Sequence, residues 1–333
     1  MAYQPRFADI TSTPAAPDQT SDIDEMSIYT DEQIQLYFER IGLPADNIQE
    51  RRASDPLGFL TTLKYHHIAA IPFDSLALHY SPHRLLSLSY DDLFTKLVTR
   101  RHGGYCMEVN AFLAAVLRTL GYTLYTAGAR VNVQGAWGGW AHEMTIVTID
   151  DTRYLVDVGF GFSSPAHPVP LKDNREFTTI APARGKLEYR ALSIHTDPSQ
   201  RMWVYSAQRS ANAPWEEMYS FPEMEFFPAD FQVMNLSTMT SPQSFFVQNV
   251  LCLKVLLGEE TGKPEGLLFL HRDLVKRQVG GEVEILQTLE SEEDRLQALE
   301  KWFGIVFSEA EKLGIRGLAS ELKRRPPQGD GHA

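Results

Sequence analysis

The chain has 333 residues, with 31 Lys and Arg against 43 Asp and Glu, a net charge of −12, and 43% hydrophobic residues. That length leaves room for about two or three domains, and the composition is ordinary for a protein that folds around apolar cores. The acidic balance excludes a nucleic-acid binder held chiefly by phosphate contacts. The longest unbroken apolar run, residues 111–117, is far short of the ~18 that a membrane span needs. Residues 1–30 lack the apolar run of a secretory signal and Gly331-His332-Ala333 matches no recognised anchor or retrieval address, so neither is expected. Two cysteines, Cys106 and Cys252, cannot build a disulfide framework or a four-thiolate zinc site, so a reducing, cytoplasmic location is expected.

In chain order, residues 1–26, rich in Pro, Ser, Thr and Asp, are expected to form a flexible arm. Thr30-Asp31-Glu32-Gln33 is a capping-box pattern, followed by Ile34, Tyr37, Phe38 and Ile41 at helical spacing and stopped by Gly42 and Pro44. Further helices are predicted over 57–67 and 91–101. A clear one has the stripe Val109, Phe112, Leu113, Val116, Leu117 and Leu120, closed by Gly121. The character then changes. Residues 123–133, 142–149 and 154–162 are rich in Val, Ile, Thr and aromatics, with a turn signal at Asp150-Asp151-Thr152. With short strands over 187–195 and 202–208, this stretch reads as an antiparallel sheet or small barrel. Residues 214–231 read as a crossing segment, followed by a helix near 228–235, strands around 249–257, 265–272 and 280–289, and a helix over 291–304. The tail beyond Arg316 is expected to be loosely held.

Chemistry concentrates in residues 100–110, Arg-Arg-His-Gly-Gly-Tyr-Cys-Met-Glu-Val-Asn. Two glycines precede a helix that carries Cys106 in its first turn. Glycine permits close approach of another group, and a helix N-terminus favours thiolate. Cys106 is therefore a candidate nucleophile, with nearby N–H groups to cradle an oxyanion; the bland alternative is a small buried core cysteine. A thiolate enzyme wants an imidazole and an orienting acid. His142 opens a strand pattern, and Asp157 is an acid inside the apolar run Leu155-Val156-Asp157-Val158. With Asp151-Thr152 as the hairpin centre, the two share a sheet face by parity, but that register pairs Asp157 with Ile146. Parity supports a common face without establishing contact.

The segment His102-Gly103-Gly104-Tyr105-Cys106-Met107-Glu108-Val109-Asn110 resembles the active-site motif of the arylamine N-acetyltransferases, Arg-Gly-Gly-x-Cys-x-Glu/Gln-x-Asn. Ile71-Pro72-Phe73-Asp74-Ser75-Leu76 is similar to the family's Ile-Pro-Phe-Glu-Asn-Leu. His142 followed by Val156-Asp157-Val158-Gly159-Phe160-Gly161, and Met234-Asn235 with Thr240-Ser241-Pro242-Gln243-Ser244-Phe245, match further family segments in order. The resemblance covers roughly residues 30–310. His102 stands where the family usually has Arg, which puts a local salt bridge in doubt, and Asp74 and Ser75 replace Glu and Asn. The longer 163–225 stretch resembles eukaryotic or fungal members.

The resemblance implies an α+β, multi-domain, papain-like cysteine transferase: a helical domain (27–122) carrying the nucleophile, a β-barrel domain (123–226) carrying His and Asp, and an α/β lid with the C-terminal tail (227–333). It implies ping-pong acyl transfer from acetyl-CoA, or from malonyl- or propionyl-CoA, to an arylamine or arylhydrazine. Cys106 would be nucleophile, His142 base and Asp157 orienting acid. It implies coenzyme A contacts at Gly104, Thr240, Ser241 and Ser244, and acyl or acceptor contacts at Phe73, Arg130, Val131 and Phe162. No permanently bound cofactor, metal, nucleic acid or membrane is implied. Two rivals are a transglutaminase-like thiol hydrolase and a binding protein on a decayed enzyme scaffold. Cys252 and the Lys323-Arg324-Arg325 run read as core and solvated tail respectively.

Overall fold

The computed structural model describes residues 28–323, so the expected arm and residues 324–333 lie outside it. The first helix, α1 (Asp31–Ile41), begins where the side chain of Thr30 accepts from the Gln33 amide and Gln33 reaches back to Thr30. Gly42, left-handed at φ 67°, closes it. Helices α2 (Ile48–Ser54) and α3 (Pro56–Ala70) follow, then strand β1 (Phe73–Asp74) and helix α4 (Tyr90–Phe94), which runs into a π-type turn over Thr95–Thr99. Helix α5 (Cys106–Thr119) lies at the centre of this half. Its fully buried Phe112 packs among the rings of Tyr29, Tyr37 and His67, a burial that contributes about 2–3 kcal/mol.

Eight antiparallel strands follow: β2 (Thr123–Val133), β3 (Ala136–Ile149), β4 (Thr152–Val156), β5 (Val169–Pro170), β6 (Arg175–Thr178), β7 (Arg184–Arg190), β8 (Met202–Gln208) and β9 (Glu216–Phe221). They pair in the order β5-β4-β3-β2-β9-β8-β7-β6. The expected barrel is therefore a curled sheet that does not close. One edge is the two-residue β5, which ends on Pro170, a residue with no N–H to extend a ladder. Alternation sorts the residues of β3. Val147 and Ile149 face the helices, whereas Met144 and Ile146 face the inner core with Leu155, Tyr205 and Tyr219.

Helices α6 (Pro228–Thr240) and α7 (Phe245–Gln248) cross to a second sheet of β10 (Leu251–Leu257), β11 (Pro264–His271), β12 (Leu274–Val279) and β13 (Glu282–Thr288). β1, from the helical half, forms its edge against β10. Helices α8 (Glu292–Phe303) and α9 (Glu309–Lys312) follow, and a 3-10 turn over Leu313–Ile315 ends the described elements.

Four expectations need correction. The strand predicted over 154–162 stops at Val156, because the next N–H groups leave the ladder: Val158 donates to Asn110 and Gly159 to the Asp157 side chain. The segment read as a crossing contains β9, paired with both β2 and β8. β12 escaped detection because Lys276, Arg277 and Gln278 mask its alternation. The tail is not loose up to Lys323: the Ser320 carbonyl accepts twice from the buried Arg295 guanidinium at 3.1 Å, and Leu322 N–H donates to Glu292 at 3.1 Å.

Candidate active site

The loop before α5 is held against β1. Asp74 N–H donates to Gly104 O at 2.9 Å, and Gly104 N–H to Pro72 O at 3.1 Å. A Cβ on Gly103 would stand 2.1 Å from Pro72 O and 2.3 Å from Asp74 Oδ2, so only glycine admits this approach. Glu108 folds back to accept from Tyr105 N–H at 3.2 Å and pairs with Lys96 at 2.6 Å. These contacts fix Cys106 as the first residue of α5, 3% exposed, with its Sγ 3.8 Å from Ala141 O.

The β3–β4 hairpin turns at Asp150-Asp151, with Ile149 opposite Thr152 and Thr145 opposite Val156. Its centre lies one residue earlier than the sequence reading placed it. One more step of the ladder sets Asp157 opposite Met144, not Ile146, and leaves His142 diagonal to it on the same face. The contact that parity left open is made: His142 Nε2 lies 2.8 Å from Asp157 Oδ2. Cys106 acts on the same imidazole, raising its pKa together with Asp157. Asn110, one turn along α5, donates to Asp157 Oδ1 at 3.0 Å and to Glu143 O at 2.6 Å, while Gly159 N–H donates to Asp157 Oδ1 at 2.8 Å. Three side chains far apart in sequence thus meet through one helix N-terminus and one hairpin.

Burial alone would lower the His142 pKa, but the Asp157 charge, its hydrogen bond and Cys106 hold it up, to about 10. For Asp157, burial is outweighed by His142, Gly159 N–H and Asn110, which keep it below the usual carboxylate range. The arrangement is therefore an ion pair across neutral pH, sealed from water by the rings of Phe160 and Tyr219 about 5.0 Å and 5.1 Å from the imidazole.

Of the other expected site residues, Phe73 and Gly104 lie beside the Cys106 helix, bridged to each other. Phe73 meets Phe246 edge-on at 5.9 Å, and Phe246 meets Tyr105 at 5.4 Å. Ser244 is the N-cap residue of α7, which carries Phe246, and Thr240 and Ser241 stand at and just after the end of α6. Thr240 donates to Leu236 O and Ser241 to Gln243, so those two hydroxyls already have partners. Arg130 spreads over the Trp140 ring at 4.3 Å and donates to Gly138 O. Val131 is half-buried opposite Tyr219. Phe162 is half-exposed against Phe269 and lines, with Phe160 and Gln208, a cavity of about 420 Å³. Cys106 is not among the residues lining that cavity. Among the described residues His102 has no ion-pair partner. It bonds Val306 O at 3.0 Å and packs on Phe307, leaving Lys96–Glu108 as the salt bridge there. Among the described residues no group of three or more His, Cys, Asp or Glu is disposed to hold a metal.

Sequence reasoning assigned no part to Asn110 or Phe160. The first had a readable signal, since a residue four after Cys106 lies on the same helix face. The second had none beyond its glycine neighbours.

A family model for N-acetyltransferases matches residues 56–312. The chain belongs to the arylamine N-acetyltransferase family. It is 34% identical over 340 residues to the N-malonyltransferase FDB2 of Gibberella moniliformis, covering 93% of this chain and 97% of that protein. It is 31% identical to arylamine N-acetyltransferase 2 of Mesocricetus auratus, over 66% of this chain and 76% of that one. The solved structure of Mycobacterium marinum arylamine N-acetyltransferase in complex with CoA superposes with a TM-score of 0.69 at 26% identity, over 84% of this chain and 97% of that one. As an arylamine N-acetyltransferase family member, the protein is an acyltransferase. No described helix is long and apolar enough to cross a membrane.

Proposed function

We propose that this acyltransferase moves a short acyl group from a coenzyme A thioester to an arylamine or arylhydrazine through an acyl-cysteine on Cys106. The observation that carries the reading is the buried His142–Asp157 contact at 2.8 Å with the Cys106 side chain on the same imidazole. The Cys106 sulfur attacks the thioester carbonyl. The oxyanion is met by unbonded N–H groups of the first turn of α5. The C–S bond to coenzyme A breaks, and the coenzyme A sulfur takes a proton from the His142 imidazolium. The acceptor nitrogen then attacks the acyl-cysteine, its proton passes to His142, and the Cys106 thiolate leaves. Asp157 orients the ring throughout.

The acyl group we propose is malonyl, with acetyl and propionyl as the alternatives; the similarity to a fungal N-malonyltransferase along nearly the whole chain supports it. Arg130, partly exposed and without a carboxylate partner among the described residues, would meet the free carboxylate. Gly104, Thr240, Ser241 and Ser244 are the proposed coenzyme A contacts, and Phe73, Val131 and Phe162 the proposed acceptor contacts.

The test is coenzyme A release from acetyl-, propionyl- and malonyl-CoA with 2-aminophenol and 5-aminosalicylate. Malonyl-CoA should give the highest turnover, and without amine the native chain should carry one acyl group on Cys106. Unchanged turnover in Cys106→Ala ends the nucleophile assignment. Free acid released without amine favours a thiol hydrolase instead.

A further inference from the structure

Lys64 lies midway along α3 and is fully buried. Its Nζ donates to Pro165 O at 2.6 Å and His167 O at 3.3 Å. Among the described residues no carboxylate lies within 4 Å of it, although a buried lysine is ordinarily paired. The acid that acts on it through space is Asp157. The carbonyls it holds belong to the segment that leaves Asp157, carries Phe160 and Phe162, and reaches β5. Tyr205 OH donates to Ser163 O at 2.7 Å, and Phe160 N–H to Ser164 Oγ at 2.7 Å; from the helices, Asn110 of α5 holds the start of the segment at Val158, and Lys64 of α3 holds its far end.

We propose that Lys64 is a positioning residue for the site: its ammonium fastens the 161–167 segment behind Asp157 and supplies a positive field to the Cys106–His142–Asp157 cluster. The inference rests on the reading above only in taking Cys106 as the reactive thiol. The groups around Lys64 leave it the charge that can do this. Burial, then the cations nearby, lowers His67 on its own helix to about 3 and His167 across from it to about 4, so both are neutral. Arg40 of α1 is spent on the carbonyls of Leu97 and Arg101. Tyr205 and Tyr219, which feel Asp157 from β8 and β9, stay protonated because burial pushes them up. Burial lowers Lys64 itself to about 7 against the pull of Asp157, so it is charged on the acid side of neutrality.

The experiment is the pH profile of Cys106 alkylation by iodoacetamide, with modification at Cys106 and Cys252 separated by mass spectrometry. It needs neither acyl-CoA nor amine. In Lys64→Met the acid limb should move up by about one pH unit, making alkylation roughly tenfold slower near pH 5.5. Lys64→Arg, which keeps the charge, should hold the native limb. A merely structural role would lower the melting temperature of both variants and leave the limb in place. A folded Lys64→Met chain whose profile overlays the native one overturns the proposal. Lys64→Gln serves under the same criterion should Met prevent folding. The native chain gives an independent reading through the ¹⁵Nζ resonance of Lys64: an ammonium below about pH 6 supports the proposal, and a neutral amine there overturns it. Native Cys106 reacting no faster than an ordinary thiol overturns the nucleophile reading and this inference together. Fast native reaction with overlaid profiles overturns this inference alone.

Discussion

Asn110 lies one helical turn beyond Cys106 and donates to the carboxylate of Asp157 at 3.0 Å, so the helix that carries the sulfur also steadies the acid behind the imidazole. Its Oδ1 closes the loop by accepting from Val158 N–H at 3.0 Å. Removing a hydrogen bond to a buried charge costs about 1.5–3 kcal/mol. Asn110→Ala should therefore cut kcat/KM for coenzyme A release roughly ten- to hundredfold, with the acyl-CoA preference unchanged. Activity within twofold of native would show that Gly159 N–H and His142 suffice to hold Asp157.

The ion pair predicts a pH dependence of stability. His142 is raised to about 10 in the fold from about 6.5 in an unfolded chain. Its stabilising contribution is fully present below about pH 6.5, declines as pH rises, and is gone above about 10. Asp157 is held below its unfolded value, so its contribution is present above about pH 4 and lost only as pH falls through the depressed folded value. Urea unfolding of native and His142→Gln chains at about pH 6, 8 and 10.5 isolates the histidine. The stability gap should narrow steadily along that series, and a constant gap contradicts the raised pKa.

Gly159 is buried where a Cβ would stand 2.7 Å from both Cys106 Cα and Asn110 Nδ2. Gly159→Ala must push the segment that follows β4 away from α5. Overpacking of this kind costs about 1–3 kcal/mol. Differential scanning calorimetry should show a lowered melting temperature, and turnover should fall further than the stability loss explains, since the displaced atoms belong to the Cys106–Asp157 network. A stability loss with full activity would place the strain elsewhere.

A stop codon after Arg316 removes the Ser320 carbonyl from the buried Arg295 guanidinium and Leu322 N–H from Glu292. The exposed penalty for a buried charged donor left short of partners is roughly 1–3 kcal/mol. The truncated chain should melt several degrees lower by circular dichroism while Cys106 alkylation proceeds at the native rate. An unchanged melting temperature would mean that Glu292 alone satisfies Arg295.

Much of this site could be read from the residues. The Gly103-Gly104 pair before an amphipathic stripe located Cys106 at a helix start, and parity placed His142 and Asp157 on one sheet face. The register was missed because Asp150, Asp151 and Thr152 are all turn formers; the choice fell to Asp150, which takes a left-handed φ of 50°. Strand β9 was hidden by prolines on both sides of it, and the open edge of the sheet depends on pairing that no local pattern encodes. Lys64 was unreadable because a lysine in a helical pattern is ordinarily solvated; only the carbonyls of Pro165 and His167, a hundred residues downstream, make its burial possible. The loose-tail expectation failed for the same reason, since Arg295 is satisfied by chain 25 residues away.

The two-residue turn between Ile149 and Thr152 has no slack. A single inserted residue there would invert the facing of everything that follows, sending Asp157 to the helix side and Val156 to the imidazole side. Length variation in relatives or engineered forms can be absorbed at the exposed Gln134-Gly135 turn, but the Asp150-Asp151 link behaves as a fixed ruler. Any graft of this pair onto another scaffold has to carry that ruler intact.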